Sequence, residues 1–203
     1  MSVLCAAFAA AYLLGSIPTA YLMVKRAARV DIRRVGSGNV GATNALRTAG
    51  PVVGAAVFVI DILKGVVAAR WLPGWILGMH DPVLALACGL MAILGHNFPC
   101  FLNFQGGKGV ATTIGVLLGT MPLVAGLVGL AWAAVFAATR YVSIASMVAA
   151  VAIPVGQAWA GQGRAEGLLG GCVAGLILLR HRSNVQRLLQ GAEHRAFSAR
   201  RKG

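Results

Sequence analysis

The chain has 203 residues, 58% of them hydrophobic and 11% charged, with a mean hydropathy of +0.78. Soluble domains carry about a quarter charged residues, so this composition excludes a soluble domain and points to an integral membrane protein. The net charge of +13, from 18 Lys and Arg against 5 Asp and Glu, would suggest nucleic acid in a soluble protein; no aromatic-basic motif accompanies it, so no nucleic acid partner is expected.

A spanning helix needs about 20 apolar residues. The length therefore allows six or seven spans and no separate soluble domain, and residues 1–203 read as one integral membrane domain. Span one runs from Val3 to Val24. It has no basic residue before it, while Lys25 and Arg26 follow it. That order favours an uncleaved first helix with the N-terminus outside. A polar segment of roughly 25 residues follows and holds Asp31, Arg33, Arg34 and Gly36-Ser-Gly-Asn-Val-Gly-Ala-Thr-Asn44. Span two starts at Pro51, a favourable first helical residue, and ends near Trp71. Leu72–His80 reads as an external turn, with Trp71 and Trp75 at the interface. Span three covers Pro82 to Leu94 and leads into a loop over His96–Gly109.

Residues 110–139 form one apolar stretch with Gly119-Thr-Met-Pro122 in the middle. One span would put Lys108 and Arg140 on opposite sides. Two short spans with a turn near Pro122 put both inside, and are the expectation. Span six runs from Tyr141 to Trp159, Ala160–Glu166 is an external turn, span seven runs from Gly167 to Leu179, and a basic tail closes the chain. The topology gathers fifteen of the 18 Lys and Arg on one side, which the positive-inside rule makes cytoplasmic. Close helix packing is expected at Gly115-xxx-Gly119 and Gly171-xxx-Gly175. Cys5, Cys88, Cys100 and Cys172 show no CxxC pair or Cys/His zinc spacing, so no metal site is expected.

With the N-terminus outside, spans two, four and six begin at the cytoplasmic face. Their free N–H groups and dipole ends favour anions there. Each carries a polar motif. The first is Gly36–Asn44: Gly38 and its fellow glycines let backbone approach a ligand, Ser37, Asn39, Thr43 and Asn44 supply hydrogen bonds, and Arg47 can fork onto a phosphate. The second is Gly95-His96-Asn97-Phe98-Pro99 followed by Gly106-Gly107-Lys108-Gly109. It is not a Walker A loop, because Leu102 stands at the earlier glycine position and Gly109 follows the lysine. Consecutive glycine N–H groups can still surround a phosphate. Thr112 and Thr113 add hydroxyls, and His96 is a base or a positioning group. The third is Arg140-Tyr-Val-Ser143-Ile-Ala-Ser146, whose polar residues recur every three positions on one helical face. In the tail, a continuing helix would put Arg180, Asn184 and Arg187 on one stripe, with His181 three residues before Asn184. Asp61 and Lys64 lie inside span two at i, i+3, where they can pair or act.

Together these motifs resemble the bacterial integral-membrane glycerol-3-phosphate acyltransferases that use acyl-phosphate as donor. The matching elements are GSGNVGATN at 36–44, Asp61-Ile-Leu-Lys64-Gly65, GHNFP at 95–99, GGKGVAT at 106–112, RYVSIAS at 140–146 and HRSN at 181–184. The resemblance implies an all-α bundle of seven spans, an outside N-terminus, a cytoplasmic C-terminus, and an active site on the cytoplasmic face of a bacterial inner membrane. It implies acyl transfer from acyl-phosphate to the 1-hydroxyl of glycerol 3-phosphate, giving lysophosphatidic acid and phosphate, with membrane lipid as the setting and no cofactor. Carried over by motif, Ser37, Asn39, Arg47, Lys108, Ser146, His181 and Asn184 line the site. Lys108 and the Gly106–Gly109 N–H groups would stabilise phosphate and developing charge. Arg47, Ser37 and Asn39 would hold the second phosphate, while Ser146 and Asn184 orient the hydroxyl or carbonyl. A substrate phosphate could accept the proton, with His96 and His181 as enzymic alternatives. The runner-up class is a transporter of a small organic anion, which predicts mid-membrane sites and repeated halves. A lipid-binding structural protein would not explain three polar motifs at three helix starts. Scattered acids argue against a metal-dependent phosphotransferase. Oligomeric state is left open.

Overall fold

The structure is a computed structural model that describes residues 2–196. Arg200, Arg201 and Lys202 of the basic tail lie outside the described residues. Among those described there are eleven α-helices and no strand. The chain forms two compact units that divide between Pro122 and Leu123.

In the first unit, α1 (Ser2–Ser16) and α2 (Thr19–Ala28) together form the one stretch, Ser2–Ala28, that answers to the span expected over Val3–Val24, with a break inside it. Pro18 stands at the break; it lacks an N–H and disfavours helical backbone at Ile17. The polar segment after α2 is not all loop. A 3-10 turn, Ile32–Arg34, is capped by Asp31, and α3 (Ala42–Ala49) follows. Gly50, at φ 88°, ends α3, and Pro51 opens α4 (Pro51–Val66). The Gly36–Asn44 motif therefore leads into α3, not into span two.

The external turn expected at Leu72–His80 is largely helix. A π-helical turn, Val67–Trp71, leads into α5 (Leu72–Leu77), and the Leu72 N–H reaches back to the Val67 carbonyl. This wider turn accommodates Pro73, which has no N–H and whose ring would clash with an ordinary i−4 carbonyl. Trp71 and Trp75 do stack, 6.3 Å between centroids. Helix α6 (Pro82–Asn97), capped by Asp81, outruns the expected Leu94 end, so His96 and Asn97 occupy its last turn. Helix α7 (Val110–Thr120) stops before Pro122, as expected. Glycines let these helices approach. A Cβ on Gly15 or Gly95 would strike the α6 or α1 backbone, and one on Gly65 or Gly115 the α7 or α4 backbone.

The second unit holds α8 (Pro122–Thr139), which starts at the divide, α9 (Val142–Trp159), α10 (Arg164–Arg180) and α11 (Arg182–Leu189). The tail helix turns at His181 and does not continue α10 unbroken. Gly171 and Gly175 meet no neighbour within 4 Å, so the packing expected of them is absent; Gly170, one position earlier, faces the Gln157 side chain of α9. Among the described residues, five stretches are long and apolar enough to cross a membrane: Ser2–Ala28, Pro51–Leu77, Pro82–Leu102, Pro122–Thr139 and Val142–Trp159. Helix α7 is apolar but has 11 residues, about 16 Å against a hydrocarbon core of about 30 Å.

Candidate active site

In the first unit the Gly36–Asn44 loop is organised by Asn44, which is buried. Its Oδ1 accepts from the Ser37 N–H at 3.1 Å, and its Nδ2 donates to the carbonyls of Ile32, Val35 and Asn39 at 3.2, 3.0 and 3.1 Å. One amide thus closes the loop on itself. Ser37 is left exposed, and Gly38 and Asn39 partly so, with exposed Arg47 on the last turn of α3. Beside the loop, Asp31 pairs with Arg33 at 2.7 Å, and Arg33 stacks over Tyr21. The Arg33 hydrogen bond holds the Asp31 carboxyl at about 2.

The second motif starts on α6. Its end is fastened by Tyr12, whose hydroxyl donates to the Phe98 carbonyl at 2.6 Å. After a 3-10 turn at Cys100–Leu102, Asn103 and Phe104 both adopt left-handed backbone, φ 51° and 60°. For Phe104 this is an outlier of the kind that clusters at functional sites. The chain then folds back: the Gly107 N–H donates to the His96 carbonyl at 3.0 Å, and a Cβ on Gly107 would collide with the His96 ring and stand 2.7 Å from the Val40 carbonyl. This contact brings the first and second motifs together. Lys108 is half-buried, and Gly109 opens α7 with φ 80°. Both amide atoms of Asn97 and the hydroxyls of Thr112 and Thr113 are buried without hydrogen-bond partners. Buried polar groups rarely stay unsatisfied, so these atoms suit a ligand or water at the start of α7.

Against the same end of α6 lies a buried charged cluster. Lys64 Nζ is 2.8 Å from Asp61 Oδ1, 2.9 Å from His96 Nδ1 and 3.4 Å from the Ile17 carbonyl at the α1–α2 break. A small cavity beside it is lined by Ser16, Thr19, Val40, Asp61, His96 and Pro99, among others.

In the second unit, Ser143 and Ser146 lie buried in the first turns of α9. The Trp132 indole N–H donates to Ser146 Oγ at 3.3 Å, and Trp132 stacks on Phe136. Trp132 is a donor only, so the Ser146 proton points elsewhere. His181 and Asn184 are buried where α10 meets α11. His181 Nδ1 lies 2.8 Å from the Ile177 carbonyl. Asn184 Nδ2 and Arg187 Nε each donate to Glu193, both at 2.7 Å. Asn184 and Arg187 thus share an acidic partner, while Arg180, expected on the same stripe, ends α10 before the turn at His181. Burial works against the Glu193 charge, but the hydrogen bonds from Asn184 and Arg187, with the Arg187 charge beside it, lower its pKa. Sequence reasoning missed Glu193 and Trp132. Glu193 did carry a signal, one of five acids set in a basic tail.

The glycerol-3-phosphate acyltransferase family profile matches residues 5–191. The chain belongs to this family. Similar members are the glycerol-3-phosphate acyltransferase of Rhizobium meliloti, 45% identical over 91% of this chain and 88% of that one, and glycerol-3-phosphate acyltransferase 2 of Moorella thermoacetica, 48% identical over 93% and 95%. Two crystal structures of PlsY (YgiH), an integral membrane glycerol 3-phosphate acyltransferase, share the fold. Its glycerol 3-phosphate form has a TM-score of 0.88 at 40% identity, covering 97% of this chain and 96% of that one. Its lysophosphatidic acid form has a TM-score of 0.85 at 38% identity, covering 96% and 95%. This acyltransferase is accordingly an all-helical integral membrane protein.

Proposed function

We propose that the protein transfers an acyl chain from acyl-phosphate to the 1-hydroxyl of glycerol 3-phosphate, releasing lysophosphatidic acid and phosphate, a step of phospholipid biosynthesis. The observation that carries this reading is the pairing of two loops in the first unit, Gly36–Asn44 and Gly106–Gly109, each leading into a helix and each with a cation nearby, Arg47 on the last turn of α3 and Lys108 just before α7. Both substrates carry phosphate. Family membership adds glycerol 3-phosphate as acceptor, the ligand named for PlsY. Residues 1–203 act as one catalytic domain.

The hydroxyl oxygen attacks the acyl carbonyl carbon, the bond from that carbon to the phosphate oxygen breaks, and phosphate leaves. Acyl-phosphate is already activated, so no enzymic nucleophile is required. Lys108, with the N–H groups of Gly106 and Gly109, neutralises the leaving phosphate and the charge growing on the carbonyl oxygen; the Gly107 N–H, expected to join them, is held by the His96 carbonyl. Thr112 and Asn97 complete that cradle. Arg47, Ser37, Gly38 and Asn39 hold the other phosphate, and Asn44 shapes their loop. Ser146 donates its proton to the reacting carbonyl or hydroxyl, and Ser143, His181 and Asn184 orient the acceptor. The hydroxyl proton passes to a substrate phosphate oxygen. Four of the five carboxylates support that choice: Asp31, Asp61 and Glu193 are ion-paired and Asp81 caps α6.

We place the enzyme in the bacterial inner membrane with seven membrane helices, the N-terminus outside and the C-terminus and active site at the cytoplasmic face. The positive-inside distribution supports this, with α7 and α10 (Arg164–Arg180) as the two shorter members. A Gln190→Cys variant in a cysteine-free background should react with an impermeant thiol reagent only after cells are opened. Labelling of intact cells overturns the orientation. Activity is tested with purified protein, labelled glycerol 3-phosphate, and palmitoyl-phosphate or palmitoyl-CoA as donor. Product from palmitoyl-phosphate alone is expected. No product from folded protein with either donor overturns the assignment and favours anion transport.

A further inference from the structure

Asp61 and Lys64 have no role in the chemistry above, yet they stand buried against the end of α6. The Lys64 ammonium pairs with the Asp61 carboxylate at 2.8 Å and has two hydrogen-bond partners, His96 Nδ1 and the Ile17 carbonyl. An ammonium proton can go to Nδ1 only if that nitrogen carries a lone pair. The competing arrangement would put the charge on the imidazole and pair it with Asp61. Distance decides against it, because Asp61 Oδ1 is 2.8 Å from Lys64 Nζ but 3.7 Å from His96 Nδ1. The charge belongs on the lysine, and the ring proton on Nε2. The ring and the backbone carbonyl of His96 both meet Gly107, the first by contact and the second by a 3.0 Å hydrogen bond.

We propose that Asp61 and Lys64 are positioning residues, which hold His96 as the Nε2–H tautomer and through it fix the Gly106–Gly109 loop against the end of α6. The part the loop plays in turnover rests on the acyltransferase reading above. Asp61 keeps the lysine charged and aimed, Lys64 sets the ring, and the ring sets where the glycine N–H groups lie. In this arrangement His96 does not serve as the base. Its Nδ1 lone pair is taken by the ammonium, and its Nε2 already carries a proton.

The test is nitrogen-15 NMR of protein labelled at the histidine rings, with His96 assigned by comparison with His96→Gln. The expected spectrum shows a bare Nδ1 and a protonated Nε2. An imidazolium or an Nδ1–H signature overturns the proposal, whatever the enzyme turns over. Removing one member of a buried ion pair strands the other charge and can unfold the chain, so the kinetic test uses the neutral pair Asp61→Asn/Lys64→Met. If the pair were only structural, this variant would unfold like wild type and keep its rate. The expected result is an unchanged unfolding temperature, loss of the tautomer signature, and kcat lowered at least tenfold with KM for glycerol 3-phosphate changed less than threefold. Lys64→Arg, which retains a charged donor, should recover part of kcat. A neutral pair with wild-type kcat overturns the proposal. A wild-type protein that transfers no acyl chain overturns the acyltransferase reading and leaves the NMR result to judge the cluster.

Discussion

Asn44 offers the sharpest separation between shaping the site and touching the substrate. Its side chain is 1% exposed, and its amide makes one accepted and three donated contacts, all to backbone. Two N–H hydrogens shared among three carbonyls, plus one accepted bond, amount to about three full hydrogen bonds, each worth ~1 kcal/mol net. Some freed groups reach water, since Ser37 is exposed, so Asn44→Ala should destabilise by about 2–3 kcal/mol. Asn44→Asp should do more harm than alanine, although it is nearly isosteric. It replaces the shared donor by a second acceptor and sets a carboxylate against three carbonyl oxygens. If the loop shifts by a comparable energy at turnover, kcat/KM falls by roughly 30- to 160-fold. Thermal unfolding in detergent and steady-state acyl transfer measure both effects. A residue that only contacted substrate would lose KM without stability. An Asn44→Asp enzyme with wild-type unfolding and kcat/KM within twofold would refute the reasoning.

Lys108→Ala should lower kcat by about 100- to 1,000-fold, the usual cost of removing a donor from a developing anion; near-normal turnover would remove the lysine from the mechanism. Gly107→Ala should cost ~1–3 kcal/mol of stability and most of the activity, because its Cβ enters the His96 ring, whereas Gly126→Ala, with nothing within 4 Å, should be silent in the same assays. For Glu193 the sign follows from its lowered pKa in the fold: it stabilises above its ordinary 4.5 and that contribution is lost as pH falls below it. Residues 190–196 should therefore become protease-sensitive as the pH is taken from neutral to below 4.5, and Glu193→Gln should show that sensitivity already at neutral pH.

Helix content and the polar motifs were legible because each rests on local chemistry. A 58% hydrophobic chain leaves few places for glycine, asparagine and lysine, and their clustering at 36–44 and 95–109 stands out without any fold. What stayed hidden was set by backbone geometry or by distant partners. Pro73 reads as a turn signal, yet the π-helical turn before it lets the helix run on to Leu77. The spacing of Gly171 and Gly175 suggests a packing seam, but Gly170 faces α9, because one residue of rotation is about 100° on a helix. Asp61 and Lys64 were visible as an i, i+3 pair; their third member, His96, lies 32 positions from the lysine and only the fold brings it to 2.9 Å.

The proton acceptor can be narrowed by counting lone pairs. Asp31, Asp61 and Glu193 are ion-paired, and Asp81 holds the Leu84 N–H at the start of α6. His96 gives its Nδ1 lone pair to Lys64. His181 is different: the Ile177 carbonyl 2.8 Å from its Nδ1 can only accept, so that nitrogen carries a proton, and the neutral ring has its lone pair on Nε2. Among the assigned site residues, His181 is therefore the enzymic rival to a substrate phosphate. A general base typically contributes 10²- to 10⁴-fold. His181→Gln keeps an amide in place of the ring and cannot accept a proton at neutral pH. With phosphate as acceptor, this variant should retain kcat within about tenfold once saturated with both substrates, below the range expected for a lost base. A fall of a thousandfold in a protein that unfolds like wild type would move the proton to His181 and remove the substrate-assisted step.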